Sequence, residues 1–225
     1  MNNILITGTS SGLGFELAKQ LSVKSKIYSI SKSNTNLNIN HIICDLSKIK
    51  KIESILKKLL LNVNIDTVIF NASSLGELKK GQNISYTEIK TLFDINFFSI
   101  KIILDYLLNN HNIKCVISIS SGAAIKPYFG WLSYCTTKAS INQLISCYAI
   151  ENKGIKFISL APGHIKSKMQ DYILTVDSQD IPSVKKFQET YENMPSPKIV
   201  AENILLKIDK ILSFESGSFV DLRDI

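Results

Sequence analysis

No stretch of this sequence reaches the ~20 consecutive apolar residues that a membrane span needs. The opening MNNILITGTSSGLG also lacks the basic head and long apolar run of a secretory signal. Four cysteines, Cys44, Cys115, Cys135 and Cys147, include no C-x-x-C pair and no metal-ligand spacing. Neither a disulfide framework nor a metal site is therefore expected, and the thiols read as reduced and mostly buried. Internal repeats and low-complexity linkers are missing too, so no domain boundary is drawn. The net charge is +7, but the lysines are scattered as pairs such as Lys57-Lys58, Lys79-Lys80 and Lys185-Lys186. Without a basic stripe interleaved with aromatics, nucleic acid is a poor partner, whereas a mildly positive field suits an anionic cofactor. What remains is a soluble, cytoplasmic single domain: 225 residues, 45% hydrophobic, are enough for a substantial core.

Short β-branched runs alternate with longer helical patterns. Strands are expected at 3–7, 26–31, 41–45, 66–70, 114–120 and 156–161, with a short last one at 217–221. Helices are expected at 12–22, 47–61, 86–110, 132–152 and 197–212. The strand runs are nearly continuously apolar, as strands covered on both faces are. This alternation predicts a doubly wound α/β sheet, Rossmann-like, in three layers. Residues 162–196 break the rhythm with Pro162, Gly163, Pro182 and Pro195 and little periodicity. An irregular excursion after a strand's carboxyl end reads as a lid over a ligand, with a surface ornament as the alternative.

TGTSSGLG (7–14) joins the first strand to the first helix. Gly8 permits a tight turn, Gly12 lets a pyrophosphate approach the backbone, and Gly14 allows close helix–strand contact. Ser10, Ser11 and Leu13 complete this loop at a helix N-terminus, which favours an anion. The second strand ends in SISKSN, with Ser31 and Lys32 and no acid. A carboxylate there would accept from ribose hydroxyls and repel a 2′-phosphate; an ammonium attracts one. NADP(H) is therefore expected, held by Lys32 with Ser11 or Ser33 helping, unless Lys32 is only a solvated loop lysine. CDLS and NAS close the third and fourth strands. Asp45 and Leu46 are candidates for the adenine, although Asp45 or Ser47 can equally cap the following helix. Asn71, Ala72 and Ser73 would pass beside the cofactor.

WLSYCTTKAS sets Tyr134 and Lys138 at i, i+4 on one helix face, and Ser121 stands thirteen residues before the tyrosine at the end of a neighbouring strand. With TGTSSGLG, NAS, the Asn96 of DINFFS and APGHIKSKM, this pattern resembles the short-chain dehydrogenases/reductases along essentially the whole chain. SSGAAIKPYFGWLSYCTTKAS and ESGSFVDLRD resemble the sepiapterin reductase and benzil reductase branch. The resemblance implies reduction of a ketone or 1,2-dicarbonyl, with Tyr134 as proton donor. It implies that Lys138 and the oxidised nicotinamide lower the tyrosine pKa, that Lys138 bonds the nicotinamide ribose, and that Ser121 aligns the carbonyl. It implies that Asn96 holds a relay water, and that Pro162, Gly163, Ile165 and Ser167 flank the nicotinamide. Asp221 matches a pterin-anchoring aspartate, and a homodimer through the helices near 86–110 and 132–152 is implied.

Tyr128, Phe129, Trp131, Met169 and Tyr172 offer apolar surface for a flat substrate, or else fill core or a subunit contact. Two departures from the family are visible: Ser73 replaces the usual glycine, which is expected to shift that loop slightly, and Ser167 replaces threonine. His164 could titrate near neutral pH if it faces the pocket, although a lone loop histidine is more often solvent-exposed, and it is left out of the mechanism. The competing readings are an NAD-dependent alcohol dehydrogenase and a dinucleotide sensor without turnover, although sensors typically lose the tyrosine or the lysine, and both are present.

Overall fold

The apolar runs form seven strands, and a computed structural model describes them within residues 2–225. They are β1 (Asn3–Thr7), β2 (Lys26–Ser31), β3 (Asn40–Ile43), β4 (Thr67–Phe70), β5 (Cys115–Ile119), β6 (Lys156–Ala161) and β7 (Phe219–Asp221). All pair in parallel, in the order β3-β2-β1-β4-β5-β6-β7, with Ile4 opposite both Ile27 and Thr67. The order reverses between β1 and β4, the point where open α/β sheets leave a crevice at the strands' carboxyl ends.

The helices are α1 (Gly12–Leu21), α2 (Ile52–Leu59), α3 (Tyr86–Phe93), α4 (Ser99–Asn110), α5 (Leu132–Glu151), α6 (Lys168–Thr175), α7 (Lys185–Thr190), α8 (Pro197–Leu206) and α9 (Ile208–Ser213). Alternate strand residues feed two cores. Leu5, Ile30, Val68, Phe70, Val116 and Phe157 pack with α2, α4 and α5 on one face. Ile4, Ile6, Ile69, Ile117, Ile158 and Leu160 pack with α1, α8 and α9 on the other. Each fully buried aliphatic side chain contributes roughly 1.5–3 kcal/mol, which fixes the register of every strand.

Several expected boundaries shift. The helix expected over 86–110 is two helices joined by a π-helical segment, Asp94–Phe98. The extra residue there carries Asn96 toward the loop after β4. The helix expected over 47–61 starts as a tighter turn at Ile49–Lys51, and the one over 197–212 divides at Lys207. β3 stops at Ile43, so Cys44 and Asp45 lie beyond the ladder. The excursion 162–196 is not irregular: it holds α6 and α7, and Ile173, Ile181, Val184 and Phe187 are buried in a third cluster with Leu75, Leu78 and Trp131. Of the thiols only Cys44 is buried; Cys115 and Cys135 are half-buried and Cys147 is exposed. Among the described residues no helix is long and apolar enough to cross a membrane.

Candidate active site

A cavity of about 910 Å³ opens along the carboxyl edge of the sheet. It runs from the glycine loop past the ends of β2, β3 and β4 to α5, α6 and β7, and nearly every sequence-predicted site residue lines it. At one end, Gly12 has a φ of +63°, and a Cβ there would meet nothing within 4 Å. Ser11 leads into α1 with no side-chain cap on the helix N–H groups. The open approach and free donors fit a pyrophosphate. Gly8, at φ +78°, could carry no Cβ either, because Ala72 Cα would lie 2.8 Å away.

Gly14 does not reach the cavity. A Cβ there would fall 2.3 Å from Asn71 Nδ2 and Gly8 O, so its hydrogen atom is what lets α1 pack on the loop. Asn71 locks this arrangement by donating to the Thr7 and Gly8 carbonyls, at 3.2 and 3.1 Å.

Farther along, Lys32 and Asp45 face one another across the cavity edge at 3.4 Å. Asp45 also accepts from the Ser47 N–H at 3.0 Å. That bond, more than Lys32, holds its carboxyl below the usual range. Asp45 thus serves the turn into α2, the alternative the sequence left open, and tethers Lys32, which is otherwise mostly exposed.

At the centre, Tyr134 and Lys138 are 6% and 3% exposed, one turn apart on α5. Lys138 Nζ donates to the Ile119 carbonyl at 2.8 Å and lies 5.7 Å from the tyrosine ring centroid. Burial lowers the lysine pKa to about 8. It pushes the phenol up to about 12, although the Ser121 and Ser73 hydroxyls pull the other way. In the cofactor-free protein, exclusion of water is thus the largest influence on this phenol, and it acts against the acidification expected from Lys138 together with an oxidised nicotinamide. Ser121 accepts from the Ala123 N–H at 3.1 Å, starting the turn after β5.

Asn96 is fully buried beneath this centre rather than in the cavity wall. Its Oδ1 accepts from Ser74 N–H at 2.8 Å and from the Ser73 hydroxyl at 3.2 Å. Its Nδ2 donates to Ser74 O at 2.8 Å and Thr137 Oγ1 at 3.1 Å. The side-chain amide is thus saturated. It binds the 73–74 loop to α5, so the amide is not the group of Asn96 that would hold the expected relay water. Ser73, in place of glycine, adds one of these bonds.

The far end has an aromatic wall. Trp131 stacks on Phe187 at 5.1 Å between centroids, and Tyr128 lies 5.3 Å from Trp131. Met169 lines the same end; Phe129 is exposed outside it, and the Tyr172 hydroxyl accepts from the Leu78 N–H of the neighbouring loop at 3.2 Å. Of the two readings left open for His164, the structure selects the pocket-facing one: it lines the cavity 4.9 Å from Phe187, and burial, then Arg223 and Lys186, lower its pKa.

Asp221 lines the cavity as expected, but both of its oxygens are engaged. Arg223 donates to them through Nε at 2.9 Å and Nη2 at 2.6 Å, which depresses the carboxyl pKa. The carboxylate expected to anchor a pterin is thus one side of an ion pair. The sequence reading missed Arg223, although one signal was available: it is the only arginine in the chain.

A family model described as short chain dehydrogenase matches residues 2–177. A benzil reductase ((S)-benzoin forming) of Bacillus cereus is 30% identical over 91% of this chain and 92% of its own. Sepiapterin reductase of Mus musculus is 24% identical over 98% of this chain and 86% of its own. The crystal structure of a short-chain dehydrogenase/reductase from Saccharomyces cerevisiae, 24% identical, superposes with a TM-score of 0.84, covering 100% of this chain and 97% of that one.

Proposed function

The chain belongs to the short chain dehydrogenase family, and from that membership we propose that it is an NADPH-dependent reductase of ketones or 1,2-dicarbonyls, of the kind benzil or a pterin side chain presents. One observation carries the reading: a buried phenol and a buried ammonium, one helical turn apart, share a cavity with the Ser121 hydroxyl and the glycine loop.

The loop Gly8–Leu13 would hold the pyrophosphate, Asn71 and Ala72 would border the cofactor, and Pro162, Gly163, Ile165 and Ser167 would flank its nicotinamide. Lys32 favours a 2′-phosphate over a bare ribose, since the end of β2 offers no carboxylate. The cofactor, when bound, supplies the hydride that adds to the carbonyl carbon. Ser121 donates to the carbonyl oxygen and fixes it beside Tyr134. As charge builds on that oxygen, Tyr134 gives up its proton, and the O–H bond of the alcohol forms as the phenolate appears. Lys138 in its ammonium form stabilises that phenolate, and its N–H groups not used by Ile119 suit the ribose hydroxyls. Asn96 acts as a positioning residue that keeps the 73–74 loop against α5. Residues 162–196, with α6 and α7, form the substrate-side lid, and the family's helix-pair contact supports a homodimer.

The test follows NADPH absorbance with benzil, sepiapterin and a wider carbonyl panel, with NADH in parallel. NADPH oxidation is expected. Tyr134→Phe should keep NADPH affinity and lose turnover by about 10²–10⁴-fold, the usual worth of a general acid. Faster reaction with NADH would favour the NAD-dependent dehydrogenase, and tight NADPH binding with no turnover would favour a sensor.

A further inference from the structure

We propose that Arg223 is the anion-recognising residue of the substrate cleft, so that the favoured carbonyl substrate carries a carboxylate, as an aromatic 2-oxo acid does. This rests on the reading of the cleft as a carbonyl-reducing site and narrows its substrate class.

Apart from three histidines, every other basic residue of the chain is a lysine. An ammonium is adequate where a point charge is needed, whereas a guanidinium presents a planar fork able to pair bidentately along more than one edge. Asp221 occupies one edge, through Nε and Nη2. A third bond, Arg223 N–H to Asp221 Oδ1 at 3.0 Å, closes the turn that follows β7. These contacts fix the plane of the fork and leave Nη1 and the second Nη2 hydrogen without a partner among the described residues.

The position of the side chain gives that free edge its meaning. Its stem lies on Gly163, with Cδ 3.3 Å from where a Cβ would sit, and Nη2 lies 3.9 Å from the same point on Gly122. The arginine therefore lies against the loop after β6, with its fork toward the residue next to Ser121, and lines the cleft. Lys126, Lys168 and Lys186 also line the cavity, and Lys186 acts on His164 together with Arg223. Since Asp221 is already matched by Arg223, the field there favours an anion. The wall of Tyr128, Trp131 and Phe187 suits the aromatic body of such a substrate. The rival is a strut: Arg223 would only brace the 222–224 turn, and its loss would act equally on charged and neutral ligands.

Trp131 is the only tryptophan in the chain and lines the cleft, so its fluorescence reports on this end. Protein loaded with NADP⁺ is titrated with phenylglyoxylate and with its methyl ester, the same aryl ketone without the charge. Arg223→Gln is expected to weaken phenylglyoxylate by about 10- to 100-fold, as hydrogen bonds to a charged group are worth. The ester should weaken by less than about threefold, and Arg223→Lys should fall between the two for the acid. Equal weakening of both ligands, no change in either, or wild-type protein that binds the acid no better relative to the ester than Arg223→Gln does, overturns the proposal. NADPH turnover separates the two levels. Charge-selective binding without reduction of benzil or either probe sinks the reductase reading alone; reduction with charge-independent binding sinks the arginine inference alone.

Discussion

Replacing Lys138 by methionine should make the cofactor-free protein more stable while abolishing turnover. Burial takes the lysine pKa from its ordinary 10.5 to about 8. Between those values the unfolded chain binds the proton that the folded chain has released, so stability rises with pH there. Below about pH 8 the whole penalty of burying the charge is present, and at neutral pH it is worth about 3 kcal/mol, since each pH unit between the two values is ~1.4 kcal/mol. Methionine keeps the volume but loses the bond to the Ile119 carbonyl. A buried carbonyl left without a partner costs about 1–2 kcal/mol. The net expectation is a gain of about 1–2 kcal/mol at pH 7, fading as pH climbs toward ~10.5, where the wild-type lysine is neutral in both states. Urea unfolding of both proteins at several pH values without cofactor measures this directly. A variant less stable than wild type at pH 7, or a gap that does not narrow as pH rises, would refute the reasoning. The gain would also identify the lysine as a residue retained for function against stability.

Three further predictions follow from the same geometry. Burial keeps Tyr134 protonated in the free protein, to about pH 12, and keeps Lys138 charged only below about 8; kcat/KM for carbonyl reduction should therefore be level near neutral pH and fall above about 8, and a steady rise there would mean that the phenolate is the active form. Gly12→Ala places a residue at φ +63° in open space and should cost only about 1–2 kcal/mol while greatly weakening NADPH; Gly14→Ala drives a methyl against Asn71 and Gly8 and should damage folding more, so thermal melts in the opposite order would be inconsistent with the packing. Asn96→Ala removes four hydrogen bonds of a fully buried amide and should lower stability by about 2–4 kcal/mol; a loss below ~1 kcal/mol in urea unfolding would mean that these bonds do not secure the loop.

The sheet was legible because its signals are local. Runs such as NILIT and KFISLA are apolar on both faces, and a strand covered by helices on both sides needs nothing else. The glycine loop was legible for a similar reason, since a strand, a turn requiring positive φ and a helix start all fall within a few residues. The helix break at 94–98 was not. Its cause is an amide whose partners lie 22 and 41 residues away, on the loop after β4 and on α5. Nor was the order in 162–196. Its helices are short, and their buried residues, Ile173, Val184 and Phe187, are too widely spaced to show a period, yet together they close over Trp131.

The site divides along the same line. An i, i+4 spacing identifies Tyr134 and Lys138 as neighbours but does not say which of two opposing effects on the phenol is larger. The lysine amine is bonded to the Ile119 carbonyl, while Trp131, Ile173 and the rest of the third cluster close around the tyrosine. Water excluded by residues distant in sequence therefore decides the sign, and the phenol becomes a weaker acid.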